Sequence, residues 1–227
     1  MNITKLTILS VLASKRHSMV YQVTDGNSLF VLKTPKNLLN TDLEAYEDEY
    51  ETLKNITHPV LPKYYDYYKD LVLTDGNEPK PAILMEYVDG TPLSSYEHLT
   101  TKELKKYILD LADGLLMLLE NGVLYTDLHP GNLIIKNGKL KLIDFTKAYY
   151  FIRNPYPSYT PKISYQLDQN LKGQQMLIQA LSFLLSHLID KFHMTGIPFS
   201  LMELGLHPHS GLSFPDFIEK LEVELRV

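Results

Sequence analysis

The sequence predicts an α+β chain in two lobes, a β-rich one over about residues 1–88 and a mainly helical one over about 89–227. Three observations predict it. Residues 6–33 alternate apolar and polar side chains and are rich in β-branched and aromatic types, the period-two signature of half-buried strands. Over residues 101–122 the apolar positions recur every three to four residues, as amphipathic helices require. With 227 residues, 44% of them apolar and 11% aromatic, the chain can bury a sizeable core as one large domain or two small lobes.

The segments LTILSVL (6–12), SMVYQVT (18–24) and SLFVLK (28–33) read as strands, and TDGN at 24–27 supplies a tight turn between the last two, giving an antiparallel meander. A helix follows over 41–57, with Thr41 or Asp42 able to cap it and Leu43, Tyr46, Tyr50 and Leu53 on one stripe; His58-Pro59 stops it. Residues 63–88 read as two more strands around a loop at 74–81, which brings the sheet to about five strands.

After DGTP at 89–92, the spacing predicts a helix over 101–122, with Leu104, Ile108, Leu111, Leu115 and Leu119 on one stripe and Gly122 as its cap. Strands at 133–135 and 140–143 form a hairpin around KNGK, whose Asn-Gly is a strong turn signal. Residues 147–168 read as a Tyr- and Pro-rich loop, and from about 171 the chain reads as helical to its end. No internal repeat is visible.

The apolar run MLIQALSFLLSHLI (176–189) is too short to cross a bilayer and is interrupted by Gln179, Ser182, Ser186 and His187, so it reads as a core helix and no membrane span is expected. The early stretch KLTILSVLASKR (5–16) has one lysine ahead of a short apolar run, which is thin for a secretory leader, and it alternates like a strand. Zero cysteines exclude disulfides and thiolate metal sites, in agreement with a cytoplasmic protein. A net charge of -5 argues against broad capture of nucleic acid, which needs clustered Lys and Arg to neutralise phosphates.

Three short polar side chains stand at the edges of apolar runs: Asp127 and Asn132 in DLHPGN (127–132) and Asp144 in DF (144–145). A carboxylate or amide in such a place is costly unless it is paired, and coordinating a metal is one way of pairing it. Turn formation explains each of the three singly, but not their joint spacing with Lys33 and Glu49.

That order of residues, a strand Lys, a helix Glu, an Asp-x-x-x-x-Asn loop and an Asp-Phe strand end, resembles the protein-kinase family and its relatives over most of the chain. The resemblance implies a single bilobal domain with a five-stranded antiparallel sheet and one helix in the first lobe, and a shortened, mainly helical second lobe. It implies transfer of the γ-phosphate of ATP, with Mg²⁺, to a hydroxyl, foremost Ser or Thr of a protein substrate.

By resemblance Lys33 touches the α and β phosphates and Glu49 is its partner, the glutamate being picked out from Glu47 and Glu51 by its spacing to His58-Pro59. ILMEYVDG (83–90) resembles the hinge, where main-chain groups of Glu86 and Val88 bind adenine and Met85 lines the back of the pocket, between lobes where ligands commonly bind. Asp127 orients the acceptor hydroxyl or takes its proton, and Asn132 and Asp144 hold the metal, since oxygen ligands suit a hard ion. His129 either touches the γ-phosphate or orients its loop. Asp168 in DQNLKG either bonds the catalytic loop or caps a helix.

The sequence also departs from the family pattern. Ala13, Lys15 and Ser18 stand where a glycine-rich loop has glycines, which restricts close backbone approach to phosphate; Lys15 or Arg16 either offers a side chain instead or is a solvated charge of the hairpin, the commoner role. Tyr125 and Thr126 precede Asp127 where protein kinases have His and Arg, so no arginine is present there to read a phosphorylated loop. Thr146 replaces the glycine after Asp144-Phe145. Asp144 and Asp168 are 24 residues apart with no Ala-Pro-Glu between them, leaving little room to dock a peptide. His129 and the short segment favour a small-molecule kinase of the aminoglycoside or choline type, the alternative to a protein kinase; a non-catalytic pseudokinase scaffold is the third reading. The histidines of HPH (207–209) and His193 read as surface residues, and the tyrosines of YYDYY (64–68) as packing between the lobes or binding a partner.

Overall fold

The computed structural model describes residues 6–15, 17–38, 43–73, 79–150, 173–206 and 212–225. The chain divides into two compact units, residues 1–57 with 62–88, and residues 58–61 with 89–227.

In the first unit, β1 (Thr7–Ser14), β2 (Ser18–Thr24), β3 (Leu29–Pro35), β4 (Tyr64–Leu71) and β5 (Lys80–Glu86) form one antiparallel sheet in the order β1-β2-β3-β5-β4. The alternation seen in the sequence sets the faces: Tyr21 and Val23, Phe30 and Leu32, and Ala82 and Leu84 point into a shared apolar core. β1 is an edge strand, irregular at Ile8/Ser10 and again at Val11/Ala13. The β1–β2 connection is a tight hairpin closed by the Lys15 N–H donating to the Ser18 carbonyl at 2.8 Å, and Ser18 is buried.

One helix, α1 (Glu44–Leu53), packs against β4 and β5 through Tyr46, Glu49, Thr52 and Leu53, which lie on one helical stripe. It is shorter than the 41–57 expected. Thr41 and Asp42, the predicted caps, lie outside the described residues, and Leu43 at the N-cap supplies no side-chain bond. The helix also stops before His58-Pro59: the chain turns at 54–55, and the Lys54 N–H bonds back to the Tyr50 carbonyl at 2.9 Å.

The tyrosines of YYDYY are accounted for inside this unit. Tyr68 is in the sheet core, Tyr67 stacks on Tyr50 at 5.8 Å, and Tyr65 meets Phe30 edge-on at 5.4 Å. The strand sends them to opposite faces of the same sheet.

The second unit begins with the inserted segment 58–61. The His58 ring accepts the Val60 N–H on Nδ1 at 3.2 Å and meets Asp113 through Nε2 at 3.0 Å, while the Val60 carbonyl accepts the Leu142 N–H at 2.8 Å. After β6 (Thr91–Pro92) comes α2 (Thr101–Glu120), whose stripe of Leu104, Ile108, Leu111 and Leu115 is fully buried. Its start is a capping box: Glu103 N–H donates to Thr100 Oγ1, and the Thr100 N–H and hydroxyl both donate to Glu103 Oε2, at 2.9 and 2.6 Å. These bonds hold the Glu103 carboxyl below its ordinary range. Gly122 follows the helix end with φ 76°, the left-handed conformation its place required.

β7 (Val123–Leu124), β8 (Leu133–Lys136), β9 (Lys139–Leu142) and β10 (Tyr149–Tyr150) follow. β8 and β9 pair around Asn137-Gly138, both at positive φ, while β6 pairs with β8 and β10 with β7. The region expected to be a loop from 147 therefore starts with a short strand, because Tyr149 and Tyr150 find β7 as a ladder partner. Residues 151–172, including Asp168, lie outside the described residues, as do Arg16, 74–78 and HPH at 207–209.

The C-terminal helical reading resolves into α3 (Gln174–Phe192), α4 (Phe199–Leu206) and α5 (Phe214–Leu225). His193 at φ 51° ends α3, interrupting the run that the sequence read as helical throughout. α3 is buried nearly all round from Met176 to Leu188, as a central helix is. Among the described residues no helix is long and apolar enough to cross a membrane. α4 lies so close to α3 that a Cβ on Gly205 would stand 2.0 Å from that of Ser182, whose hydroxyl donates to the Leu201 carbonyl at 3.2 Å.

Candidate active site

The predicted site residues fall into two groups, one in each unit. In the β-rich unit, Lys33 is on the central strand β3, paired with Ile83 of β5, and Glu49 is on the inward stripe of α1. They meet: Lys33 Nζ donates to Glu49 Oε2 at 2.5 Å, with the two residues 5% and 3% exposed. The Tyr64 hydroxyl donates to the other carboxylate oxygen, Oε1, at 3.0 Å, and the Tyr46 ring lies 5.7 Å from Lys33 Nζ. Both oxygens of Glu49 are thus bonded, which is the condition under which a buried charge pair is tolerable. No pattern in the sequence assigned Tyr64 to Glu49. Strict alternation would group it with Tyr68, but β4 is irregular between Tyr64 and Asp66, and the register sets Tyr64 opposite Met85 and Tyr67 opposite Ile83. Both rings therefore face α1, Tyr64 meeting Glu49 and Tyr67 meeting Tyr50.

Met85 and Glu86 close strand β5, and buried Val88 is the last residue of the unit. Met85 is paired with Val31 on one side and Tyr64 on the other. The Glu86 N–H donates to the Lys63 carbonyl at 2.8 Å, and its carboxylate Oε2 accepts the Lys63 N–H at 3.0 Å. The main-chain donor of Glu86 therefore serves the protein's own backbone.

In the helical unit, Asp127 and Asn132 belong to one loop between β7 and β8, and are 3% and 2% exposed. Asn132 ends a 3-10 turn, Pro130–Asn132, that His129 starts by accepting the Gly131 N–H on Nδ1 at 3.2 Å. This bond ties the His129 ring to its own loop. The Asn132 amide donates to the Tyr125 hydroxyl at 3.0 Å, to the Asp127 carbonyl at 3.1 Å and to Asp127 Oδ2 at 3.5 Å. Tyr125 reaches onward to the Ile143 carbonyl at 3.1 Å, and its ring packs on Phe145 at 5.0 Å. Ile143 N–H returns to the Asn132 carbonyl at 2.9 Å. This fastens the loop to the segment carrying Asp144.

Asp144 has φ 66° and ψ 78°, a left-handed conformation uncommon outside glycine and found disproportionately at functional sites. Its Oδ1 accepts the Thr146 hydroxyl at 2.6 Å and the Thr146 N–H at 3.4 Å.

The donor set fits a hard cation. Three acceptors surround Asn132 Nδ2 and fix which end of the amide is nitrogen, so oxygen is the end presented elsewhere, and Asp144 adds a carboxylate. Among the described residues no cluster of three or more His, Cys, Asp or Glu could hold a metal by itself.

Comparison with known proteins agrees with this arrangement. The protein kinase domain family model matches residues 11–176. A probable serine/threonine-protein kinase of Streptomyces coelicolor is 31% identical over 105 residues, 44% of this chain and 15% of that protein. Serine/threonine-protein kinase PknG of Mycolicibacterium smegmatis is 37% identical over 100 residues, 42% of this chain and 13% of that protein. Aurora kinase of Eremothecium gossypii is 31% identical over 147 residues, 60% and 38% of the two chains. These matches span well under half of each relative's length. The five-stranded antiparallel sheet with α1 packed on it, followed by a helical unit, is the α+β plan of a protein-kinase-like fold. The chain belongs to the protein kinase domain family.

Proposed function

We propose that this protein transfers the γ-phosphate of ATP, with Mg²⁺, to a serine or threonine hydroxyl of a protein. The observation that carries the reading is the buried Lys33–Glu49 pair: a lysine held rigid by a carboxylate in a dry sheet is suited to bind phosphate oxygens at a fixed point. In this reading Glu49 and Tyr64 orient Lys33, and Lys33 holds the α and β phosphates. Met85 and the main chain at Glu86 and Val88 receive the adenine, with Glu86 contributing its carbonyl because its N–H is used by Lys63.

Mg²⁺, when bound, neutralises charge on the phosphates. Asn132 Oδ1 and the Asp144 carboxylate would hold it, oxygen ligands suiting a hard ion. The acceptor oxygen forms a bond to the γ-phosphorus as the bond from that phosphorus to the bridging oxygen breaks, releasing ADP. The acceptor's proton goes to the Asp127 carboxylate, which the Asn132 amide orients. His129 contributes by shaping the loop, its Nδ1 accepting the Gly131 N–H.

A second reading, a small-molecule acceptor, is favoured by the loop DLHPGN, in which His129 stands where Ser/Thr kinases carry Lys. One experiment separates them. Purified protein is incubated with γ-labelled ATP and Mg²⁺, alone and with a generic basic protein, beside Asp127→Asn. Label on Ser or Thr that falls by about 10²–10⁴ in the variant is the expected result. Thermal stabilisation by Mg-ATP with no protein labelled would move the acceptor to a small molecule; absence of both would overturn the reading.

A further inference from the structure

We infer that Thr146 is a positioning residue whose hydroxyl presets the Asp144 carboxylate for a divalent cation; this rests on Asp144 being a metal ligand, as read above. Thr146 occupies a place where the family pattern has glycine, so a side chain there is a feature of this chain. Its hydroxyl lies 2.6 Å from Asp144 Oδ1. A hydroxyl donating to a carboxylate is a charge-assisted bond, shorter and stronger than a neutral one.

Two features separate this from ordinary capping of the short turn at 145–147. A cap needs only a backbone N–H, and the Thr146 N–H lies 3.4 Å from Oδ1, at the weak end of the range. The hydroxyl bond is 0.8 Å shorter, as 3.4 less 2.6 gives. Asp144 is also held in a left-handed backbone conformation that a non-glycine residue keeps only when its surroundings impose it.

The chemical consequence is directional. The Thr146 bond to Oδ1 restrains rotation of the carboxylate and disfavours its use as a two-oxygen chelate, which a six-coordinate Mg²⁺ does not prefer. Outer partners of this kind fix the orientation of a ligand before the ion arrives, and their loss commonly lowers metal affinity about 10–100-fold. Glycine in this position gives a kinase loop freedom; threonine here trades that freedom for an oriented ligand.

The test compares Thr146→Val, which keeps the shape and removes the hydroxyl, with Thr146→Ser, which keeps the hydroxyl and removes the methyl. Melting temperature is followed against Mg²⁺ at saturating ADP, so that no turnover is needed. The expected result is a half-saturating Mg²⁺ concentration raised about 10-fold in Thr146→Val and unchanged in Thr146→Ser. Equal Mg²⁺ dependence of wild type and Thr146→Val overturns the inference, as does a Thr146→Ser shift as large as that of Thr146→Val. Thr146→Ala repeats the measurement should valine perturb the fold. Asp144→Ala distinguishes the levels: if it abolishes Mg²⁺-dependent stabilisation while Thr146→Val does not weaken it, only this inference fails, whereas stabilisation retained in Asp144→Ala removes the metal-ligand reading beneath it.

Discussion

The two groups of candidate site residues, one in each unit, are held in different ways. In the β-rich unit a lysine and a glutamate neutralise one another at 2.5 Å in the interior, and Tyr64 takes the remaining carboxylate oxygen. In the helical unit the acidic groups are arranged by neutral donors: the Asn132 amide on Asp127 and the Thr146 hydroxyl on Asp144. A charge pair is a two-body structure that fails when either member is removed, because the survivor is a buried uncompensated charge. Carboxylates held by hydroxyls and amides lose their placement by steps, because each donor contributes a modest net amount. The first arrangement suits a group that must not move, and the second suits the cation-accepting role proposed above.

The largest effect should come from splitting the pair. Lys33→Ala leaves Glu49 buried alone and should cost about 3–5 kcal/mol of stability together with transfer activity, read by denaturant unfolding and by label transfer. Lys33→Met combined with Glu49→Leu should recover most of the stability and none of the activity, since apolar groups of similar volume replace a buried pair at little cost. If the double variant is no more stable than the single ones, the pair is not a self-contained unit.

A smaller loss is expected from Tyr125→Phe in the other half. It removes the hydroxyl between Asn132 and the Ile143 carbonyl but leaves the ring on Phe145, so about 1–3 kcal/mol should be lost. Activity should fall while remaining measurable. A complete loss of transfer with unchanged stability would show that the hydroxyl takes part in the chemistry itself.

The smallest effect lies away from both groups. Thr100→Ala breaks the capping box of α2 and should cost about 1 kcal/mol near neutral pH without altering transfer. Because the Thr100 bonds depress the Glu103 carboxyl below its ordinary value of 4.5, their contribution is present above that value and is lost as pH falls through the lower, folded one. The stability gap between wild type and variant should therefore narrow on acidification, and a gap that widened would contradict the capping assignment.

Much of this was legible in the chain. The five strands, the two principal helices and the Asn-Gly hairpin follow from alternation, helical spacing and turn chemistry, all local properties. The group of Asp127, Asn132 and Asp144 was visible because its spacing is joint rather than local. Less was legible where a partner distant in sequence decides. Nothing near Tyr149 announced a strand until β7 lay beside it, and α1 ended ahead of its proline stop, with the turn at 54–55. The irregularity that turns Tyr64 toward α1 was equally silent, because a break in alternation shows only against the partner strand.

What the sequence by itself determined is the order of the elements and the residue types at the site, since period, turn signals and motif spacing are written along the chain. Only the tertiary structure decided the partnerships. Glu44, Glu47, Glu49 and Glu51 crowd one helix, and it is the packing of the Tyr46–Leu53 stripe against β4 and β5 that carries Glu49 inward to Lys33. Tyr64, Tyr125 and Thr146 likewise acquire their roles through hydrogen bonds whose geometry no one-dimensional pattern encodes. The physical reason is that burying a polar group is favourable only when its donors and acceptors are met, and that condition is tested in three dimensions.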